Sequence, residues 1–117
     1  MKTVLVIVEN PELRENIAEI LELAGYFVLT NEDSITGLET IKQKDAAMIV
    51  YDIRKEPEEL RRFMENFHSY AKARKIALTI VNGDPGYAAI KKVTADLDVR
   101  FLPSPFTGEE LLELVGL

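Results

Sequence analysis

The sequence predicts an α/β domain whose core is a parallel β-sheet covered by helices on both faces. Three observations carry that expectation. Five short apolar runs alternate along the chain with segments whose apolar residues recur at helical spacing. The runs are apolar almost continuously, as strands buried on both faces are, instead of at every second position. The third run, Ala46-Ala47-Met48-Ile49-Val50-Tyr51, ends abruptly in Asp52. In open α/β sheets, ligands and chemistry gather just outside the carboxyl ends of the strands.

Val4 to Val8 form the first strand, and Glu9-Asn10-Pro11-Glu12 stop it and start a helix. Asn10 suits the N-cap, Pro11 the first helical position, and Glu12 complements the helix dipole. Leu13, Ile17, Ile20, Leu21 and Ala24 make its apolar stripe, and Gly25 ends it. Tyr26 to Leu29 form the second strand. Asp33 or Ser34 caps a second helix with Ile35, Leu38 and Ile41 on one face, weakened by Gly37. After the strand that ends at Asp52, Arg54 to Glu59 lead into a long helix with Leu60, Phe63, Met64, Phe67 and Tyr70 or Ala71 turned inward. Ile76 to Val81 form the fourth strand. Asn82-Gly83-Asp84-Pro85-Gly86 are turn formers that open a fourth helix through Asp96, with Ile90, Val93 and Leu97 as its stripe. Val99 to Leu102 are the fifth strand. Pro103-Ser104-Pro105-Phe106 turn the chain, and Thr107 caps a final helix carrying Leu111, Leu112, Leu114 and Val115. Such alternation implies right-handed crossovers. The last helix is short, about two to three turns, which favours a module of a longer protein over a stunted helix.

Composition narrows the function. A chain of 117 residues suits one domain, here taken as 1–117, and 47% hydrophobic with 29% charged residues is globular composition. The net charge of -6 argues against this domain gripping nucleic acid or anionic membrane. Cysteine is absent, which excludes disulfides and thiolate metal sites and fits a reducing, cytoplasmic setting. With one histidine, no multi-histidine metal site fits within a single chain. The apolar run after Met1-Lys2-Thr3 is too short for a signal peptide or a membrane span. Asn82 to Gly86 lack the lysine and spacing of a phosphate loop. His68 reads as a solvated surface residue, and Glu109, Glu110 and Glu113 as a solvated helix face.

Several of these stretches resemble one family. Val4 to Arg14, with the strand running into acidic residues before the first helix, is similar to the opening of response-regulator receiver domains. Leu21-Glu22-Leu23-Ala24-Gly25-Tyr26 resembles the passage from their first helix to their second strand. Met48 to Ile53 resembles the strand bearing the phosphoacceptor aspartate, and Phe101 to Phe106 the closing strand and loop. The resemblance spans the chain in order. It implies a flavodoxin-like (CheY-like) five-stranded parallel sheet, strand order 2-1-3-4-5, with about five helices. It also implies site residues. Asp52 falls at the phosphoacceptor position. Glu9 falls at the second acidic position for magnesium, but the first is Val8. Asn82 stands at the hydroxyl position that contacts the phosphoryl group, and Ser104 where the family has a lysine. Ser104-Pro105 would be a cis bond, and Phe101 falls at an aromatic that changes rotamer on activation, although core packing is its favoured role. The proline usual soon after the aspartate comes one residue late, at Pro57.

Phosphoryl transfer depends on positioning and charge neutralisation. Glu9 and Asp52, with a backbone carbonyl near Arg54, offer magnesium a partial set of oxygens, while Val8 and Ser104 each remove a charged member. The favoured expectation is therefore an Asp52 that is solvated, or paired with Arg54, Lys55 or Arg100, in a pseudo-receiver. Such a domain belongs to a two-component system, has no catalytic residues or cofactor, and acts through protein partners: a histidine kinase, an effector domain or another signalling protein. The partner face, also open to homodimerisation, is expected on the fourth helix, fifth strand and last helix, with Tyr87, Lys91, Lys92, Thr94, Arg100 and Glu109. The alternative is a phosphoreceiver that accepts a phosphoryl group on Asp52 with Mg2+. A small-ligand binder is disfavoured, because no strand-end loop carries a phosphate cradle.

Overall fold

The computed structural model describes residues 2–52, 57–82 and 96–116. The chain alternates β1 (Thr3–Ile7), α1 (Pro11–Leu23), β2 (Phe27–Asn31), α2 (Ser34–Gln43), β3 (Met48–Asp52), α3 (Pro57–Arg74), β4 (Ala77–Val81), β5 (Val99–Leu102) and α4 (Gly108–Gly116). All five strands join one parallel sheet in the order β2-β1-β3-β4-β5. The fourth helix expected after Asn82 lies outside the described residues, together with Ile90, Val93 and the turn formers from Gly83 onward. Four helices are therefore described.

The alternation of side chains along each strand divides the core in two. Leu5, Ile7, Ile49, Tyr51, Leu78 and Ile80 face α2 and α3, where Ile41, Phe63, Met64, Phe67 and Ala71 close over them. Val4, Val6, Met48, Val50, Val81 and Leu102 face α1 and α4, where Ile17, Leu21, Leu111 and Val115 meet them. Phe63 stacks on Phe67 with centroids 5.3 Å apart, and Tyr51 lies 4.7 Å from Phe63. Burying each such ring stabilises the fold by about 1.5–3 kcal/mol. Of the two inward candidates late in α3, Ala71 is the buried one. Tyr70 stays at the rim beneath the Arg74 guanidinium, which itself donates to the Ile41 carbonyl at 2.7 Å.

The helix ends follow the sequence chemistry. Asn10 caps α1 by accepting from the Leu13 N–H at 3.0 Å, and Asp33, not Ser34, caps α2 by accepting from Thr36. α1 and α3 both end in the six-to-one backbone bond of a Schellman motif, Tyr26 N–H to Leu21 O and Ile76 N–H to Ala71 O. The left-handed residue is Gly25 in the first (φ 97°) and Lys75 in the second (φ 55°).

Four expectations are corrected. Ala24 is the exposed C-cap of α1 and not part of its stripe, because the helix stops at Leu23. Tyr26 closes that motif, so β2 starts one residue later and runs on to Asn31. Ile35 is 76% exposed, since α2 turns Ser34, Gly37 and Ile41 inward instead. Gly37 is a packing requirement: a Cβ there would stand 2.5 Å from Ile7 Cδ1.

Candidate functional site

The parallel register places the ends of β1, β3 and β4 side by side, with Asp52 opposite Val81. Asn82 follows directly, takes a left-handed conformation (φ 59°) that asparagine tolerates, and its N–H donates to the Leu102 carbonyl at 2.8 Å. That pose aims its side-chain amide at the neighbouring strand, where Nδ2 donates to Asp52 Oδ1 at 3.0 Å. Asp52 itself is half-buried.

Asp52 and Glu9 open onto one cleft, which is also lined by the carboxylates of Glu32, Asp33 and Glu59. Asp33 is committed to capping α2, and the Thr36 N–H, with its hydroxyl, holds that carboxyl below the ordinary aspartate range. At the cleft floor lies a contact the sequence did not signal. Tyr51 is buried against Ser34, the first residue of α2, whose hydroxyl donates to Glu59 Oε1 at 3.2 Å. Burial, followed by the nearby Glu59 charge, pushes the Tyr51 phenol up to about 12. Three elements meet here, each supplying one residue, and no local motif announces such a meeting.

Val8, where the resemblance expects an acid, is 1% exposed among the residues facing α1. Its carbonyl and that of Glu9 accept from Arg14 Nη1 at 2.9 and 3.1 Å, which pins the turn between β1 and α1. Among the described residues, no three His, Cys, Asp or Glu side chains stand together as a ligand set.

The remaining expected residues are spread apart. Ser104 is exposed, forms a cis bond with Pro105, and lines a groove between α1 and α4 that Asn82 also lines. Phe101 is partly buried on β5 and packs on the α3 side of the core. Arg100 does not neutralise Asp52. Its guanidinium holds Asp98 at 2.7 and 3.1 Å and donates to the Leu114 carbonyl, because β5 runs beside α4. Arg54 and Lys55, the other proposed counter-charges, lie outside the described residues, as do Tyr87, Lys91, Lys92 and Thr94. Glu109 is exposed on α4.

His68 is a surface residue, as expected, and is bonded as well. Its Nε2 lies 2.8 Å from Asp96 Oδ1, with Lys72 3.2 Å from the other oxygen, and these contacts lower the Asp96 pKa, the His68 bond foremost. Glu110 is likewise more than a solvated charge: it and Thr107 exchange side-chain and backbone bonds at 3.0 and 3.1 Å. The Thr-x-x-Glu spacing of this capping box was legible in the sequence.

No family model matches the chain. It is 28% identical over 117 residues to the transcriptional regulator protein FixT of Rhizobium meliloti (strain 1021), covering 98% of this chain and 90% of that protein. Among solved structures, the chemotaxis response regulator CheY4 of Vibrio cholerae superposes with a TM-score of 0.83 at 21% identity, over 99% of this chain and 97% of that one. The response regulator TrrA of Thermotoga maritima, in complex with Mg2+ and BeF, gives 0.80 at 21% identity, over 99% and 97%. A CheY-like receiver domain protein from Methanospirillum hungatei JF-1 gives 0.79 at 20%, over 99% and 91%. What these proteins share with the chain from end to end is the sheet order and its helical layers, and the chain accordingly has the CheY-like fold of response-regulator receiver domains.

Proposed function

We propose that this chain is a receiver-like signal-transduction domain of two-component type that works through protein contact, with phosphorylation at Asp52 impaired or lost: a pseudo-receiver. One observation carries the reading. Asp52 stands at the right strand end for a phosphoacceptor, but the charged groups that would serve one are replaced around it. Val8 is apolar and buried, Ser104 is neutral, and an amide from Asn82 already bonds one Asp52 oxygen. A neutral hydrogen bond is worth about half a charge-assisted one, so a phosphoryl group here would meet weaker stabilisation where most of its catalysis is electrostatic.

The partners on this reading are a histidine kinase, an effector domain or another signalling protein in the cytoplasm. No helix of the described residues is long and apolar enough to cross a membrane. Homodimerisation through the fourth helix, fifth strand and last helix belongs to the same proposal.

A second reading keeps Asp52 active. Glu9 and Asp52 do open on one cleft, and the Thermotoga protein of the same fold is seen in complex with Mg2+ and BeF. Mg2+ would then be held by Glu9 and Asp52, Asn82 and Ser104 would contact the phosphoryl oxygens, and Phe101 would respond. An amide NMR titration with magnesium, then beryllofluoride, separates the two. We expect no response to either at millimolar concentration. Shifts centred on Glu9, Asp52, Asn82 and Ser104 that spread to Phe101 would establish the phosphoreceiver instead.

A further inference from the structure

The sheet is open, and its two edge strands, β2 and β5, are not alike. β5 carries Arg100 and runs straight into Pro103 and Pro105, and charge and proline both blunt an edge against pairing. β2, Phe27-Val28-Leu29-Thr30-Asn31, has no charge, no proline and an unbroken register. Its inner side is bonded to β1. The Phe27 N–H donates to the Lys2 carbonyl at 3.0 Å, and the Asn31 carbonyl accepts from the Val8 N–H at 3.1 Å. A parallel ladder alternates, so Phe27, Leu29 and Asn31 direct both backbone groups at β1, while Val28 and Thr30 turn theirs outward. Among the described residues, no backbone group bonds them there. The strand also differs from end to end. Phe27, where it begins, is 53% exposed, and at its far end a recess of about 270 Å3 opens beside Thr30, Asn31, Asp33 and Thr36. Exposed Glu32 and Asp33 follow that far end. Exposed Lys2, just before the register partner of Phe27, and Lys44, the C-cap of α2, lie where the strand begins.

We propose that β2 pairs with the β2 of a second copy of this chain, antiparallel about a two-fold axis at Leu29, so that the two sheets run on as one. Setting Leu29 opposite its own counterpart brings Val28 of each copy opposite Thr30 of the other. These are the residues with outward N–H and C=O groups, and they make the mutually bonded pairs of an antiparallel ladder. An axis at Val28 or at Thr30 would instead set the other of the two against Tyr26 or Glu32, outside the strand. The same reversal carries Phe27 of one copy opposite Asn31 of the other, at the recess, and joins Leu29 and Phe27 of both copies into one apolar row. It also brings the Glu32 and Asp33 end of each strand against the Lys2 and Lys44 end of the other, so opposite charges meet. Bonding groups and charges that match under reversal are what an isologous contact requires, and they select a second copy over an unrelated strand. The inference concerns the edge opposite β5, away from the partner face proposed above, and stands whether or not Asp52 accepts a phosphoryl group.

Sedimentation equilibrium of the domain between about 0.01 and 1 mM tests this, and should show monomer and dimer with no larger species. Over the same range the Val28 and Thr30 amides should exchange more slowly as concentration rises, while those of Leu29 and Asn31 stay protected throughout. In a mixture of isotope-labelled and unlabelled protein, an intermolecular NOE should join the Leu29 α-protons of the two copies, since such facing pairs lie about 4.5 Å apart between Cα atoms. Thr30→Pro, which removes an outward N–H, and separately Phe27→Ser should each weaken the dimer about tenfold or more. Glu109→Lys, exposed on the last helix, should leave it unchanged. Lys2→Glu and Glu32→Lys should each weaken it, and the two together should restore it. The proposal is overturned by a monomer at every concentration, by a dimer that survives both Thr30→Pro and Phe27→Ser, or by equal weakening in Glu109→Lys. A double charge variant that restores nothing overturns the antiparallel pairing. Phe27, Thr30, Lys2 and Glu32 are all exposed, and circular dichroism confirms that each variant is folded.

Discussion

Asn82 departs from the ordinary backbone range, and the departure is what turns its amide toward Asp52. One bond of this kind to a carboxylate contributes about 1.5–3 kcal/mol when both partners stay in place, so the Asp52 oxygen is already engaged before any ligand arrives. One strand position away, Tyr51 faces the opposite layer and is held neutral by burial. A phenol whose pKa is raised in the folded state stabilises the fold fully below its unfolded value near 10, and that contribution is lost as pH climbs toward 12. The wild-type domain should therefore lose about 1.4 kcal/mol per pH unit across that window, a slope absent in Tyr51→Phe. Absorbance of the phenolate should show a late-titrating tyrosine that Tyr51→Phe removes. A titration identical in the variant would sink this account. At this scale the placement of Asp52, Glu9 and Asn82 at one end of the sheet was legible, because each closes or follows an apolar run. The Tyr51, Ser34 and Glu59 contact was not, because its members are 17 and 25 residues from Ser34 along the chain and no spacing rule links them.

At the scale of single elements, local chemistry predicted most ends and some faces. Asn10, Gly25 and Thr107 act as their residue types dictate. Gly37 was misjudged, since helix propensity describes a helix alone and not the strand beneath it. Gly37→Ala should destabilise the domain by about 1–3 kcal/mol through overpacking, despite the better helix former. Ile7→Val, which removes Cδ1, should recover part of that loss in the double variant. Urea denaturation of the four proteins decides it, and a more stable Gly37→Ala would refute the contact. Lys75 is the reverse case. It sits in a left-handed cap where Gly25 does the same work at the end of α1, so Lys75→Gly should gain about 0.5–1 kcal/mol. Unchanged or earlier unfolding would show that the lysine stem carries stability of its own. Ile35 escaped the sequence because an apolar residue one position off the buried face leaves the helical period almost unchanged.

For the molecule as a whole, strand number and parallel sense follow from the alternation of apolar runs and helical segments, while the order β2-β1-β3-β4-β5 was implied only by the resemblance to receiver domains. The partition of charge does not follow from composition. A net -6 can belong to a uniformly acidic surface or to one face, and only the topology brings α1 and α4 together. Because seven glutamates crowd that face, added salt should raise the melting temperature by screening their repulsion. Charge-neutralising Glu19→Gln should shrink the effect, and thermal melts that do not respond to salt would contradict it.

Asn82 has one further consequence. It lines the groove between α1 and α4, and it also bonds Asp52 on the other side. A residue that forms a common wall makes two sites thermodynamically reciprocal. If a groove occupant draws the amide away, Asp52 changes its affinity for a cation by some factor, and the cation must then change the occupant's affinity by that same factor. An unphosphorylated domain could in this way still carry information between two ligands, with a single asparagine as the coupling element.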